Sequence, residues 1–264
     1  MAERARLILL LAISAAITMI PACRRSSTAK ILNTPHPIVD RFGNPRTYRL
    51  FLPRMGKKPL PLLAYFHGVR SEGFKRIPAL KKYTGAPIEE TGLISFCRVN
   101  GIILLVPDAL YEYQFLNCTA KGWVIEKEMY GIEKMIDSVA EHYPVSRQNI
   151  YLAGLSAGAV FSHFLANHRP YFYNGIISHS QAYISEQGTI LEPAVPGPQF
   201  GVIFAYNKMD YPELIAFCVA SEQKYRQAGY RTVLLKDLSP PWHQWSGENN
   251  RRFWRLLQKM GRQP

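Results

Sequence analysis

The feature that most constrains this chain is a five-residue run, Gly154-Leu155-Ser156-Ala157-Gly158, set between two segments of opposite character. Before it lies the strand-like Ile150-Tyr151-Leu152-Ala153, and after it a helix-like run from Ala159 to Asn167. A strand that passes directly into a helix must turn sharply. Such a turn leaves room beside the serine only for residues without a bulky side chain, which the two glycines satisfy. The serine is then held exposed above the strand end, at a helix N-terminus whose dipole favours a developing anion. Gly-x-Ser-x-Gly alone is a weak signal; the flanking strand and helix are what make it a nucleophile elbow.

The rest of the chain has the rhythm this elbow requires. Apolar strand candidates are Tyr48–Leu52, Leu62–Phe66, Ile102–Val106, Ile150–Ala153, Gly175–Ser178, Val202–Ala205 and Thr232–Leu235. Several are continuous apolar runs, as expected of strands covered on both faces. Helical patterns separate them. From Val124 to Tyr143, Ile125, Met129, Ile132, Ile136 and Val139 recur at three- and four-residue steps. Pro212 opens a second helix, with Leu214, Phe217, Cys218 and Tyr225 inward, and Gly229 ends it. A last helix, from about Glu248 to Met260, turns Phe253, Leu256, Leu257 and Met260 to the core. Strands alternating with helices imply one α/β domain over 41–264, a mostly parallel sheet with helices on both faces and no large cap domain.

The N-terminus reads differently. Arg4 and Arg6 precede a 14-residue apolar run, Leu7 to Ile20, too short to span a bilayer as a helix. Residues 1–22 therefore read as a signal peptide. Ile20-Pro21-Ala22-Cys23 resembles a bacterial lipobox, which makes Cys23 the expected lipid-bearing first residue and the membrane a partner through that anchor. Residues 23–40 are expected to be a tether, and the chain to sit in the bacterial cell envelope or be secreted. In an oxidising compartment Cys97 and Cys118, which flank one strand, are expected to form a bridge worth about 3 kcal/mol. Cys218 is expected to be a small buried hydrophobe. No cysteine has metal-ligand spacing, so no metal or other cofactor is expected. The formal charge of +13 comes from scattered lysines and arginines without interleaved aromatics, so nucleic acid is not an expected partner. The chain is expected to act as a monomer.

A serine hydroxyl needs a base, and the base an acid to orient it. Behind a nucleophile elbow the order is Ser, then Asp or Glu, then His. Of the histidines after Ser156, His163 and His168 fall on the following helix, where they are expected to face solvent or a neighbouring helix. His179 ends the next strand, where it could line the pocket, and His243 lies in the loop after the last strand, which suits the base. Asp210, after strand Val202–Ala205, is the natural acid; Asp237 and Glu213 compete with it. The oxyanion donors are expected to be the amides of Ala157 and Val69, the latter in the loop His67-Gly68-Val69-Arg70, with His67 structural. Trp242, Trp245 and His179 are the expected substrate-binding residues, with Trp123 and Tyr183 as further pocket candidates.

Three stretches carry a family resemblance. Leu62-Leu63-Ala64-Tyr65-Phe66-His67-Gly68, the segment from Val145 to Ala159, and His243-Gln244-Trp245 resemble the polyhydroxybutyrate depolymerase and feruloyl esterase family, from about Tyr48 to the C-terminus. The resemblance implies an α/β-hydrolase fold, no cofactor, and a Ser-Asp-His triad falling on Ser156, Asp210 and His243. The chain departs from the family at Tyr206-Asn207, where a His-Gly pair is usual, and at Trp242, where Gly is frequent. The expected activity is cleavage of a small or polymeric carboxylic ester through an acyl-serine. The alternatives are a serine peptidase of the same fold and a catalytically inactive envelope binding protein.

Overall fold

The computed structural model describes residues 30–194 and 200–260. The expected signal peptide and Cys23 lie outside them. The first elements are β1 (Lys30–Asn33), β2 (Ile38–Val39), β3 (Pro45–Arg46), β4 (Tyr48–Leu52), β5 (Leu60–Phe66), α1 (Leu93–Asn100) and β6 (Ile103–Pro107). A hairpin, β7 (Glu112–Phe115) and β8 (Cys118–Lys121), leads into α2 (Ile125–His142) and β9 (Val145–Leu155). Then come α3 (Ala157–His168), β10 (Gly175–His179), β11 (Gly201–Asn207), α4 (Pro212–Gln227), β12 (Thr232–Leu238) and α5 (Asn250–Met260). Eight strands form one sheet in the order β1-β4-β6-β5-β9-β10-β11-β12. The pairings β1–β4 and β4–β6 are antiparallel, and all the others are parallel.

The strand period of two divides the core. On β5, Leu62, Ala64 and Phe66 face the side covered by α2, α3 and α4, where Ile132, Phe161 and Tyr225 pack. Leu63 and Tyr65 face the other side, against Cys97 of α1 and Phe253 and Leu257 of α5. Parallel strands need such cover on both faces, which is why they read as unbroken apolar runs.

Two expectations are corrected. Residues 30–33 are no tether: they pair with Arg49–Leu52 as the edge strand β1, and Leu32 packs on the core. Farther along, Asp40 is buried and accepts hydrogen bonds from the Phe42 and Asn44 amides and the Tyr111 hydroxyl. Nor do Cys97 and Cys118 form a bridge; both are free thiols. Cys97 is buried on the inner face of α1, whereas Cys118 lies on the β7–β8 hairpin beside Phe74 and Val69, in a separate apolar cluster. Cys218 is buried as expected, its thiol donating to the Gln181 carbonyl at 3.2 Å.

One buried ion pair pins α2 to β3, which pairs with β2 in a separate two-stranded sheet. Arg46 and Glu128 pair with both side chains fully inaccessible. Arg46 also donates to the Asp108 carbonyl at 3.0 Å, and Glu128 accepts the Leu110 amide at 2.9 Å. Removing one member strands the other charge in the interior, where few alternative partners exist. Glu128→Ala should therefore lower stability by about 3–5 kcal/mol, measured by urea denaturation at pH 7.

Candidate active site

Ser156 sits where β9 ends and α3 begins, with φ 54° and ψ −122°. A non-glycine residue held there is strained by about 1–3 kcal/mol, so its surroundings must impose the conformation. They do so by close approach. A Cβ on Gly158 would lie 2.1 Å from the Phe66 carbonyl oxygen, and one on Gly154 would lie 2.2 Å from the Gly158 carbonyl carbon. The Ser156 amide is held by the His179 carbonyl at 2.9 Å, which ties the turn to β10.

His243 and Asp210 arrive on two loops that are laced together. The Met209 amide donates to Pro241 at 2.6 Å and the Lys208 amide to Leu238 at 3.2 Å, and the Asn207 side chain donates to Pro240. Between these loops His243 Nδ1 meets Asp210 Oδ1 at 2.7 Å, with both side chains buried. Asp210 Oδ1 also accepts the Tyr211 amide at 2.9 Å. Burial opposes the Asp210 charge, but the hydrogen bond and the charge of His243 outweigh it and hold the carboxyl below its ordinary pKa. The rings of Tyr83 and Tyr211 lie 5.1 and 5.4 Å from the imidazole and limit its rotation. With Nδ1 engaged by Asp210, Nε2 is the nitrogen left to exchange a proton.

Ser156 and His243 line one cavity of about 840 Å³. Apart from Gln181, Ser185, Glu186 and Glu213 at one side, its walls are apolar or aromatic, among them Leu80, Tyr83, Phe115, Trp123 and Phe164. Val69 and Ala157 line it as well, and among the described residues neither amide donates to a protein acceptor. The first amides of a helix have no partner within it, so Ala157 is free to bind an anion. The Val69 loop is fixed by Gly68 N to Gly85 O at 2.8 Å and by paired bonds between Arg70 and Lys121. His67 is buried within that loop, Nδ1 lying 2.6 Å from the Gly68 carbonyl oxygen and Nε2 2.8 Å from the Arg70 guanidinium. Burial first, and Arg70 second, push its pKa down to about 3.

The structure thus brings together Ser156, Asp210, His243, Val69 and Ala157. Of the competing acids, Asp237 is exposed at the end of β12, while Glu213 lines the cavity from the first turn of α4. The three expected substrate-binding residues are corrected, for none lines the cavity. His179 ends an internal strand and is fully buried, its ring tilted against Trp245 at 5.4 Å; burial lowers its pKa to about 3. Trp245 packs on Tyr65 and Phe253 and donates Nε1 to Asn250 at 2.9 Å, making it a core residue. Trp242 faces outward, its ring beneath Lys82 at 5.4 Å. Of the two settings expected for His163, the structure has the neighbouring helix: it is buried, with Nδ1 2.9 Å from the Tyr225 hydroxyl of α4 and Nε2 2.9 Å from the Ser178 hydroxyl of β10. Tyr83 and Tyr211, on loops, and Tyr113 and Phe115, on the short strand β7, do line the cavity, and no sequence period marks them.

No protein-family profile matches the chain, and no curated protein matches it in sequence. Solved structures do. A ferulic acid esterase superposes with a TM-score of 0.61 at 14% identity, covering 88% of this chain and 98% of that one. An S-formylglutathione hydrolase from Staphylococcus aureus gives 0.57 at 14% identity, over 88% and 98%. A ferulic acid esterase from the anaerobic fungus Anaeromyces mucronatus gives 0.58 at 16% identity, over 88% and 90%.

The depressed Asp210 pKa has a consequence for stability. A carboxyl whose folded pKa lies below its unfolded value of about 3.9 stabilises above that value, and the gain is lost as pH falls through the folded pKa. The stability difference between wild type and Asp210→Asn should be constant from pH 5 to 7 in this respect and shrink below about pH 4. Urea denaturation across that range reads it. Sheet order, elbow and superpositions agree, and the chain has the α/β-hydrolase fold.

Proposed function

We propose that this chain is a serine hydrolase that cleaves a carboxylic ester through an acyl-Ser156 intermediate. The observation that carries the reading is the 2.7 Å bond between His243 Nδ1 and buried Asp210, at a cavity that Ser156 also lines. Ser156 Oγ attacks the carbonyl carbon while its proton passes to His243 Nε2. The carbonyl π electrons move to oxygen, and the Val69 and Ala157 amides receive that charge. Asp210 stabilises the imidazolium without taking its proton. Collapse of the tetrahedral species breaks the ester C–O bond, and the imidazolium protonates the departing alcohol. Water then adds to the acyl-enzyme, giving its proton to His243. The second collapse releases the acid and restores the Ser156 hydroxyl.

The apolar walls favour an ester with a bulky apolar or aromatic portion. The resemblance to polyhydroxybutyrate depolymerases and feruloyl esterases supports the same substrate class, and so do the names of the structural neighbours. The cell envelope is the proposed location, with Cys23 carrying the lipid, because the signal-like run ends in a lipobox-like tetrapeptide.

A fluorophosphonate probe should label wild type once, at Ser156, and should not label Ser156→Ala. On a series of nitrophenyl esters that includes a feruloyl ester, Ser156→Ala should lose roughly 10⁶-fold in kcat. Asp210→Asn should lose about 10⁴-fold through the wrong His243 tautomer, and Asp237→Asn less than about tenfold, as expected of an exposed residue outside the proton path. Retention of more than a few per cent of activity in Ser156→Ala would refute the reading. For the anchor, mass spectrometry of the membrane fraction should find a mature chain starting at a diacylglyceryl-modified Cys23. An unmodified Cys23 there would overturn that part.

A further inference from the structure

One polar group on the cavity wall has no part in the chemistry described so far. Tyr83 lies in the loop between the 3-10 turn at Pro78–Leu80 and the one at Ile88–Glu90. Its residue surface is partly exposed, but its phenol oxygen is sealed from solvent and makes no hydrogen bond of sound geometry among the described residues. A buried hydroxyl without a partner carries a cost of about 1–3 kcal/mol, which is unusual outside a functional site.

Its position is specific. A Cβ placed on Gly68 would lie 2.1 Å from the Tyr83 oxygen, so the hydroxyl rests directly on the backbone of the loop that presents the Val69 amide. The same loop is locked to Tyr83's own segment through Gly68 N to Gly85 O at 2.8 Å, and the Tyr83 amide is held by Leu80 O at 2.9 Å. On the other side, the Tyr83 ring lies 5.1 Å from the His243 ring. The hydroxyl therefore stands between Gly68 and Ser156, on a residue that lines the substrate cavity and whose ring faces His243. We propose that the Tyr83 hydroxyl is a third donor to the oxyanion, completing a hole whose other donors are the Val69 and Ala157 amides.

The chemistry suits the task. Burial pushes the phenol above its ordinary pKa, with the Ser156 hydroxyl acting in the opposite direction, so Tyr83 keeps its proton at neutral pH. The O–H donates to the negative oxygen as the carbonyl becomes tetrahedral, and no proton is transferred. A donor aimed at charge that exists only in the transition state raises kcat and leaves ground-state binding nearly unchanged. The glycine at position 68 is what lets the phenol come this close.

The proposal rests on Ser156 as the nucleophile, and the experiment separates the two. Tyr83→Phe removes one oxygen atom; it should lower kcat about 10²-fold with KM within threefold, keep or raise the thermal midpoint, and still be labelled by a fluorophosphonate to one equivalent. Wild type should also prefer an oxygen ester over the matching thionoester, whose sulfur accepts hydrogen bonds poorly, and Tyr83→Phe should narrow that preference. Gly68→Ala, which collides with the phenol oxygen, should reproduce the loss in wild type and add little in the Tyr83→Phe background. Unchanged or raised kcat in Tyr83→Phe, with labelling intact, would overturn the proposal. An unlabelled wild type would instead remove the Ser156 reading on which it stands.

Discussion

Where α3 leaves the elbow, the Cα of Gly158 lies so near the backbone of Phe66 and His67 that no side chain fits between them. This contact does more than shape a turn. It brings the first helical amide next to the loop that follows β5, so that donors from two distant parts of the chain face one point. β5 and β9 are neighbours in the sheet, paired from Leu62–Ile150 to Phe66–Gly154, and their ends are therefore level. The strained backbone at Ser156 persists because the sheet on one side and the helix on the other leave it no alternative.

A second constraint acts at the far end of the sheet. Neither the loop carrying Asp210 nor the loop carrying His243 belongs to a regular element, yet hydrogen bonds from Asn207, Lys208 and Met209 join them. The β11–β12 pairing is irregular between Ala205 and Asn207, which bends the strand end where these loops depart. Asp210 and His243 are thus positioned by each other's backbone. The aromatic rings beside the imidazole keep water from competing for the Asp210 carboxylate, in surroundings where a charge–dipole interaction is worth far more than in bulk solvent.

What could be read from the residues follows from the range of the forces involved. The interior strands and the helices α2, α4 and α5 announce themselves because burial on both faces, or on one stripe, writes a period into the sequence. The elbow is legible because its steric demand selects two glycines within five residues. β1 was unreadable: on an edge strand with Ile31 exposed and Leu32 packed inward, four residues show no more pattern than a loop. The β7–β8 hairpin was hidden for another reason. Its turn places Leu116 and Asn117 at positive φ, a conformation usually signalled by glycine, and leucine gives no such sign. The places taken by Trp242 and Trp245 have a simpler cause. Closeness in sequence to His243 says nothing about which side of the loop a ring takes, and the interior took Trp245. Tyr83 went unnoticed because long-range contacts alone set its place, beyond anything its neighbours in sequence encode.

The β7–β8 hairpin stands outside the main sheet and holds the loop after β5 through the bridge between Arg70 and Lys121, a hydrogen bond from the Ser71 hydroxyl to the Thr119 carbonyl, and the packing of Ala120 in one cluster with Val69 and Phe74. Its tip, Phe115 and Leu116, is partly exposed and also walls the cavity. Selectivity and reactivity are therefore written in separable pieces of chain. A recombination event, or a designer, could exchange the tip residues and redraw the mouth of the cavity without disturbing the hydrogen bond between His243 and Asp210. Diversification of substrate range in such a scaffold is an evolutionarily short step, because the hairpin can drift while the sheet keeps the reacting groups in register.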